Sequence, residues 1–211
     1  MSALWRHRRA RIGLGILGAF AVIAVVGPWR VGDPTAPVAR PLSPPSWAHW
    51  LGTTGQGQDV LAQTICGART SLAIGFVVGI SQVAIGAVIG ACAGVLRGWV
   101  DDVLSLLVNV FLIMPGLPLM VIIAAYLPTG ATTIALVLIV TGWAWSARVI
   151  RAQALAIAGK DFVAAARVAG ESRARIVLVE VLPNMTSLLV SACIGATIYA
   201  IFGGADFGGG R

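Results

Sequence analysis

Five runs of apolar residues, each close to the length that crosses a bilayer, constrain this chain more than any other feature. A helix needs about 20 mostly apolar residues to span a hydrocarbon core of about 30 Å. Only 11% of the 211 residues are charged and 58% are hydrophobic, which leaves too little polar surface for a soluble fold. We therefore predict an all-α, polytopic transmembrane helical bundle of about five spans. The predicted spans cover residues 12–27, 71–96, 103–126, 131–147 and 187–202.

Prolines and an amphipathic stretch divide the chain into three predicted regions. Six of the ten prolines lie between Pro28 and Pro45 and mark an extended segment. Asp59 is expected to cap a short amphipathic helix that ends at Thr70 and lies in the outer membrane interface. The regions are residues 1–30, with a cytoplasmic N-terminus and an uncleaved first span; residues 31–68, an external loop with the short helix; and residues 69–211, a transmembrane domain containing a cytoplasmic loop at 148–184.

The cationic residues are distributed unevenly between alternate loops. If the N-terminus lies inside, eleven of the fifteen Lys and Arg residues fall in inner segments and four in outer ones. Cytoplasmic loops of membrane proteins are enriched in Lys and Arg, so this orientation places residues 148–184 in the cytoplasm. These loops also account for the net charge of +7. Nucleic-acid binding is rejected, because the chain offers no soluble domain on which a basic face could form.

Glycines recur every four residues along the second predicted span. This pattern lets the backbones of two membrane helices approach closely, and we expect tight packing against another helix. The alternative is the ordinary tolerance of membrane helices for glycine. The glycines in question are Gly75, Gly79, Gly86, Gly90 and Gly94, with Gly98 continuing the period.

The third predicted span contains one polar residue and an interruption. Asn109 is expected to face protein or a water-filled path, because a polar side chain in lipid is costly. Pro115 and Pro118 interrupt the helix, since proline lacks the backbone donor and forces a bend. Such breaks occur at membrane depth only where protein or water covers the freed carbonyl groups. The kink is therefore predicted to lie near a conducting pathway.

Residues 159–184 form a polar, cationic segment between two apolar spans. Asp161 is expected to cap a short alanine-rich helix, and Gly170 to end it in a left-handed conformation. Glu171 and Ser172 are expected to begin a second helical segment that Pro183 closes. Spacing alone leaves two readings open: a docking surface for a soluble partner, or an ordinary interfacial loop with solvated charges.

Several motifs in their order along the chain resemble one family of transport proteins. The segment A-A-A-x-x-x-G at 164–170, followed by Leu182 and Pro183, resembles the EAA motif of permease subunits of binding-protein-dependent ABC importers. Residues 49–61 and 67–72 resemble blocks found in the dipeptide, oligopeptide and nickel branch of that family. The resemblance covers roughly residues 46–205. It identifies residues 69–211 as a type-1 ABC transporter transmembrane domain.

The resemblance implies how such a subunit would work. The short helix before the glycine is implied to be a coupling helix that docks on a separate ATP-binding subunit, so that ATP is bound by the partner and this chain holds no cofactor. The implied partners are that subunit, a second permease subunit, a periplasmic or lipid-anchored substrate-binding protein and membrane lipid, in the inner membrane of a bacterium. The implied coupling residues are Asp161, Phe162, Ala164, Ala165, Ala166, Arg167, Gly170, Glu171 and Ser172.

The chain departs from the family pattern at particular positions. Ala164 stands where the motif has glutamate, Glu180 where it has isoleucine, and Gln58 where the upstream block has arginine. The family also has a sixth span after the fifth. Because only a few residues follow Phe207, we expect either a truncated chain or a degenerate five-span subunit.

Two other functions remain open from the sequence. An ATP-independent secondary transporter is expected to carry ionisable residues within its spans, and apart from the polar Asn109 the predicted spans hold almost nothing of that kind. A non-transporting membrane scaffold would fit Ala164 and the absent sixth span. No phosphate-binding loop is present, so the chain is predicted not to be an enzyme with its own nucleotide site. His49 is isolated and the three cysteines lack metal-ligand spacing, so no metal site is predicted.

Overall fold

The computed structural model describes residues 8–128 and 130–208 of the chain. Regular structure in these residues is helical, apart from two isolated backbone bridges in the N-terminal part, which confirms the all-α prediction. Two compact units are present, one up to Ala73 and one from Ile74 onward. Arg6 and Arg211, which entered the orientation count, and Thr129, which lies between the third and fourth predicted spans, are outside the described residues.

The first unit begins with helix α1, Arg8–Val26, followed by a 3-10 turn at Gly27–Trp29. Most of α1 is exposed in the isolated chain, as expected for an apolar helix whose neighbour is lipid. Gly27 lies against the side chain of Ile65, so a Cβ at this position would collide with it. Glycine therefore permits close contact between the end of α1 and the start of the next helix.

The proline-rich segment after α1 is held by backbone bridges and by hydrogen bonds of polar side chains, among them the pair of His49 and Asp59. The bridges join Pro37 to Gln58 and Thr53 to Asp59. His49 Nδ1 lies 2.8 Å from Asp59 Oδ2, so His49 is not isolated in the fold. Oδ1 of Asp59 accepts hydrogen bonds from the amides of Leu61 at 2.8 Å and Ala62 at 3.2 Å. Asp59 thus caps the following helix, as predicted.

The pair of His49 and Asp59 makes this segment sensitive to acid. The hydrogen bond from His49 lowers the pKa of Asp59, and the amides of Ala62 and Leu61 lower it further. Because the folded-state pKa lies below the unfolded one, the contribution to stability is present above about pH 4 and is lost as the pH falls through the folded-state pKa. We expect Trp47 and Trp50 fluorescence to report loosening of this segment below about pH 4.

The matched variant for this pH prediction is Asp59→Asn, which keeps the shape of the cap but does not titrate. It should shift the fluorescence of the segment at neutral pH and remove the transition between about pH 4 and pH 3. An unchanged acid transition in Asp59→Asn would show that another group is responsible.

Helix α2, Val60–Leu96, is a single helix of 37 residues. The prediction of a separate interfacial helix ending at Thr70 was wrong. Residues 66–72 contain no proline, and their single Gly67 is tolerated inside a helix, so nothing stops the hydrogen-bond ladder there. At 1.5 Å per residue the helix extends about 55 Å, well beyond the length needed to span a bilayer.

The third predicted span is broken into two helices. Helix α3, Trp99–Ile113, begins four residues before the predicted start, and helix α4, Gly116–Ala125, follows a break at Met114 and Pro115. The two helices meet at an angle of 90°. The sequence predicted one helix with a bend at the prolines. The structure instead shows two separate helices, with a larger change of direction between them than a kink in a single span would give.

Helix α5, Ala131–Ala158, is longer than predicted. Its last eleven residues were assigned to the cytoplasmic loop because they contain Arg148 and Arg151. Both arginines have partners on α3, so the helix continues through them and the loop begins at Gly159.

The remaining chain is helical with two short interruptions in regularity. Helix α6, Asp161–Val168, is followed by a turn and by helix α7, Arg173–Arg175. The prediction that Pro183 closes this segment was wrong. A π-helical stretch at Ile176–Val181 and a 3-10 turn at Pro183–Met185 lead directly into helix α8, Thr186–Gly208. In the π-helical stretch the amide of Leu182 donates to Val177 O at 3.0 Å. Pro183 follows this altered hydrogen-bond pattern, and the chain continues as a helix after it.

Within the described residues, four helices are long and apolar enough to cross a membrane, or five if the bent pair of α3 and α4 counts as one span. This agrees with the predicted number of about five. The second unit contains a cluster of buried apolar side chains from α2, α5, α6, the π-helical stretch and the 3-10 turn before α8, and side chains at the start of α8 pack against it. This cluster is here called the coupling core. Its buried members include Val83, Ala91, Ile150, Ala154, Val163, Ile176, Val181 and Met185.

The regularly spaced glycines of α2 lie against two different helices. A Cβ on Gly75 would lie 2.6 Å from Ile201 of α8, and one on Gly79 would meet Thr197 of the same helix. The other three glycines lie against the backbone of α5 around residues 146–155. Gly98 is outside this arrangement, because it has a φ of +60° and precedes α3.

Candidate functional site

Helix α6 is the centre of the first candidate site, and its start differs from the prediction. Lys160 occupies the N-cap position and Asp161 is the first helical residue, with no side-chain capping bond. The prediction of Asp161 as the cap was therefore wrong by one position. The carboxylate of Asp161 still lies in the first turn, where the helix dipole favours negative charge.

Gly170 ends this helical segment with a specific hydrogen-bond pattern. The amide of Gly170 donates to Arg167 O at 3.1 Å, and the amide of Glu171 donates to Ala166 O at 3.1 Å. This pair of bonds is the Schellman motif, which requires a left-handed residue after the helix. Gly170 has a φ of +81°, a conformation that glycine adopts without steric cost.

One face of α6 is anchored and the other is open. Val163 is fully buried in the coupling core, and Ala166 packs beside it. Ala164 and Ala165 are exposed, and Val168 has 90% of its surface accessible. Phe162 is 39% exposed and Arg167 is exposed. The helix therefore presents small and apolar side chains outward from a fixed base.

The turn after Gly170 is stabilised by polar side chains. Ser172 is the N-cap of α7, and its hydroxyl accepts a hydrogen bond from the amide of Arg175 at 3.3 Å. Glu171 forms an ion pair with Arg175, with 3.2 Å between Oε1 and Nε. Glu171 thus precedes the second helical segment and does not begin it. The turn fixes the direction in which the chain leaves α6.

A cavity of about 630 Å³ is the second candidate site. It lies among α2, α3, α4, α5 and α8, and its wall is mostly apolar with a few polar groups. That composition is typical of small-molecule sites. The polar and aromatic lining residues are Gln82, Phe111, Thr141, Trp145, Ser146, Ser191 and Tyr199.

The break between α3 and α4 borders this cavity. Met114, Gly116 and Leu119 line it, whereas Pro115 and Pro118 do not. Pro118 lies in the first turn of α4, where the amide has no partner within the helix and proline is tolerated. The prolines set the path of the chain while their neighbours form the wall.

Gln82 is a polar residue of the cavity wall that the sequence reasoning missed. Only 2% of its surface is accessible, and its Nε2 donates to Leu138 O at 2.7 Å. Its carboxamide lies directly against Gly142, where a Cβ would collide with it. The signal in the sequence was a lone amide within an apolar run.

Two arginines of α5 bind polar groups of α3. Arg151 forms a bidentate ion pair with Asp101, at 2.6 Å from Nε to Oδ1 and 2.7 Å from Nη2 to Oδ2. Arg148 donates from Nη2 to Asn109 Oδ1 at 2.8 Å. Asn109 therefore contacts another helix of the chain, and both arginines lie within a helix where the sequence predicted a loop.

The described residues contain no cluster of three or more His, Cys, Asp or Glu side chains that could hold a metal ion. The predicted coupling residues of α6 and the cavity lie in different parts of the second unit. The coupling core connects them, since α2, α5 and α8 contribute both to that core and to the cavity wall.

Comparison with known proteins assigns the second unit to a family of membrane transport components. Residues 86–208 match the family model for the inner membrane component of binding-protein-dependent transport systems. The chain is 37% identical over 151 residues to the oligopeptide transport system permease protein OppC of Mycobacterium tuberculosis, covering 71% of this chain and 52% of that protein. The dipeptide transport system permease protein DppC of Bacillus subtilis is 32% identical over 204 residues, covering 93% and 63%.

A third relative is the oligopeptide transport system permease protein OppC of Bacillus subtilis, 29% identical over 188 residues and covering 88% of this chain and 62% of its own length. The chain thus spans about half to two thirds of the length of these curated relatives. The family match includes helices α3 to α8 and the C-terminal part of α2. This chain belongs to the family of inner membrane components of binding-protein-dependent transport systems.

Proposed function

We propose that this chain is a permease subunit of an ABC importer for peptides or a related small solute, and that a separate ATP-binding subunit drives it through residues 159–184. The family supports a multi-pass inner membrane transport component. Curated relatives are named as peptide permeases, which supports peptides as cargo. The further partners in the proposal are a second permease subunit and a substrate-binding protein.

The observation that carries the proposal is the anchoring of α6. Its outward face is open to a soluble partner, while Val163 is fully buried in the coupling core. Because packed interiors transmit displacement and resist compression, a force on α6 would move the helices that share this core. Those helices also form the wall of the cavity. The arrangement favours a docking surface over an interfacial loop with solvated charges.

In the proposed mechanism, the cavity alternates between access from the two sides of the membrane. A binding protein delivers the peptide outside, and ATP binding by the partner moves α6. The expected orientation, with an inner N-terminus, places α6 in the cytoplasm, where ATP is available. The two permease subunits together surround the path, with α2 to α5 and α8 contributed by this chain.

Cysteine crosslinking tests whether α6 docks on the ATP-binding subunit. In a background without Cys66, Cys92 and Cys193, we expect Ala165→Cys to crosslink to the ATP-binding subunit in assembled complexes, because this residue is exposed. The matched control is Val163→Cys, which lies two residues away and is fully buried. It should give little crosslink.

Equal yields at the two positions would indicate nonspecific reaction. No crosslink at Ala165 or at the exposed neighbours Ala164 and Val168, in complexes shown to be assembled, would contradict docking at α6. Substrate-stimulated ATP hydrolysis by the same preparation separates a transporter from a scaffold, since a scaffold would assemble without stimulation.

A further inference from the structure

Two arginines one turn apart on α5 differ in how their charge is balanced. Arg151 meets the carboxylate of Asp101 with two hydrogen bonds, so its charge is neutralised within the chain. Arg148 meets only the neutral amide oxygen of Asn109. Within the part of the chain that the structure describes, no carboxylate lies within ion-pair distance of Arg148. Arg148 is therefore a positioned cation with an uncompensated charge.

The position of Asn109 directs the guanidinium of Arg148 along α3, away from the end where Asp101 lies. Asn109 follows Asp101 by eight residues, which is about 12 Å along a helix axis. An arginine near the end of a span ordinarily extends toward the aqueous interface. Here the bond to Asn109 holds the side chain on an apolar helix, with both residues exposed in the isolated chain. An arginine facing lipid at such a place is costly, so water or protein must cover it.

The surroundings of Arg148 connect it with the cavity. Residues three and four apart lie on the same face of a helix, and Trp145 precedes Arg148 by three residues. Trp145 lines the cavity, and so does Leu112, which follows Asn109 by three residues. Neither Arg148 nor Asn109 is itself a lining residue, and the pair lies beside the cavity wall, on the same helix faces as Trp145 and Leu112.

We propose that Arg148, positioned by Asn109, is an anion-binding residue of the transport path that binds the carboxylate of the peptide. The inference rests on the proposed function as a peptide importer. A guanidinium offers five N–H donors in a planar fork that matches a carboxylate, and the bond to Asn109 uses Nη2. Every peptide with a free C-terminus carries this group whatever its side chains are. One arginine can therefore serve cargo of varied sequence.

The test uses the assembled complex in proteoliposomes and a labelled peptide in two forms, with a free C-terminal carboxylate and with a C-terminal amide. We expect Arg148→Gln to lower uptake of the free acid about tenfold, the effect of losing a charged hydrogen bond, and to leave uptake of the amide unchanged. The same binding protein is used throughout. Dividing the uptake by the variant complex by the uptake by the wild-type complex therefore cancels the preference of the binding protein for either peptide. Arg148→Lys should retain part of the preference for the acid.

Asn109→Asp provides an independent variant that keeps the side-chain shape. A carboxylate at this position would neutralise Arg148 and should reproduce the loss of acid preference seen in Arg148→Gln. Arg40→Gln, which removes a charge from the proline-rich segment, serves as the control and should behave as wild type. Arg151→Gln is expected to lower thermal stability, because it leaves Asp101 without its partner.

The outcomes distinguish this inference from the function on which it rests. Wild-type complexes that transport neither peptide would overturn both. Wild-type transport with an unchanged ratio of acid to amide in Arg148→Gln would overturn the inference alone. If Arg148→Gln fails to assemble, an unchanged ratio in assembled Asn109→Asp complexes would overturn it instead.

Discussion

Gly170→Pro is expected to uncouple peptide uptake from ATP hydrolysis while the chain still inserts and assembles. Proline fixes φ near −65°, whereas Gly170 has a φ of +81°. Proline also removes the amide that donates to Arg167 O. The turn after α6 must then change direction, at a cost of about 1–3 kcal/mol. Uptake should fall by at least about tenfold relative to ATP hydrolysis, as measured in proteoliposomes containing the ATP-binding subunit and the binding protein.

The matched control is Gly159→Ala at the other end of α6. Gly159 has a φ of −87° and its nearest neighbouring atom would lie 3.7 Å from a new Cβ. Alanine fits that conformation, so uptake and hydrolysis should remain near wild-type values. Normal uptake in Gly170→Pro would show that the geometry of this turn is not needed to transmit the ATP-driven movement of α6 to the other helices.

Gly90→Leu is expected to destabilise the second unit strongly. A Cβ at Gly90 would lie 2.5 Å from Ala147 O and 2.9 Å from Arg151 N. Both atoms belong to the backbone of α5 and cannot rotate away, so the two helices must separate. Overpacking costs about 1–3 kcal/mol where side chains can adjust, and the loss here should reach or exceed the upper end of that range. The thermal unfolding midpoint of the purified chain in detergent measures it.

Gly67→Leu on the same helix is the control for this prediction. Nothing lies within 4 Å of a Cβ at Gly67, so leucine there should leave the midpoint near the wild-type value. Similar losses for both variants would indicate that any bulky residue destabilises α2, and close packing of α2 on α5 would lose its support.

The helical class and the number of membrane spans could be predicted from the sequence, because length and hydropathy decide them locally. Helix ends could not be predicted equally well. Arg148 and Arg151 were assigned to a loop because they are charged. In the fold they lie within α5, since Asn109 and Asp101 on α3 bind their side chains. The angle between α3 and α4 depends likewise on packing, which the positions of two prolines do not determine.

Parts of the candidate site were predictable for a similar reason. The left-handed conformation of Gly170 follows from a glycine after an alanine-rich helix, which is a local signal. Val163 was missed as the anchor of α6, since its burial depends on contacts with distant helices. A valine within an alanine run, three residues before Ala166, was the available signal. Gln82 required the same tertiary information.

In the proposed mechanism, α6 is the element through which ATP binding reorients the cavity. Its most direct test is the reactivity of Ser191→Cys in assembled proteoliposomes, because Ser191 is exposed in this chain and lines the cavity. A membrane-impermeant thiol reagent would be added from one side, with and without a nonhydrolysable ATP analogue. We expect the nucleotide to change the labelling rate of Ser191→Cys in the otherwise wild-type complex and to leave it unchanged when Gly170→Pro is also present. Equal rates with and without nucleotide, in wild-type complexes that transport peptide, would contradict this mechanism.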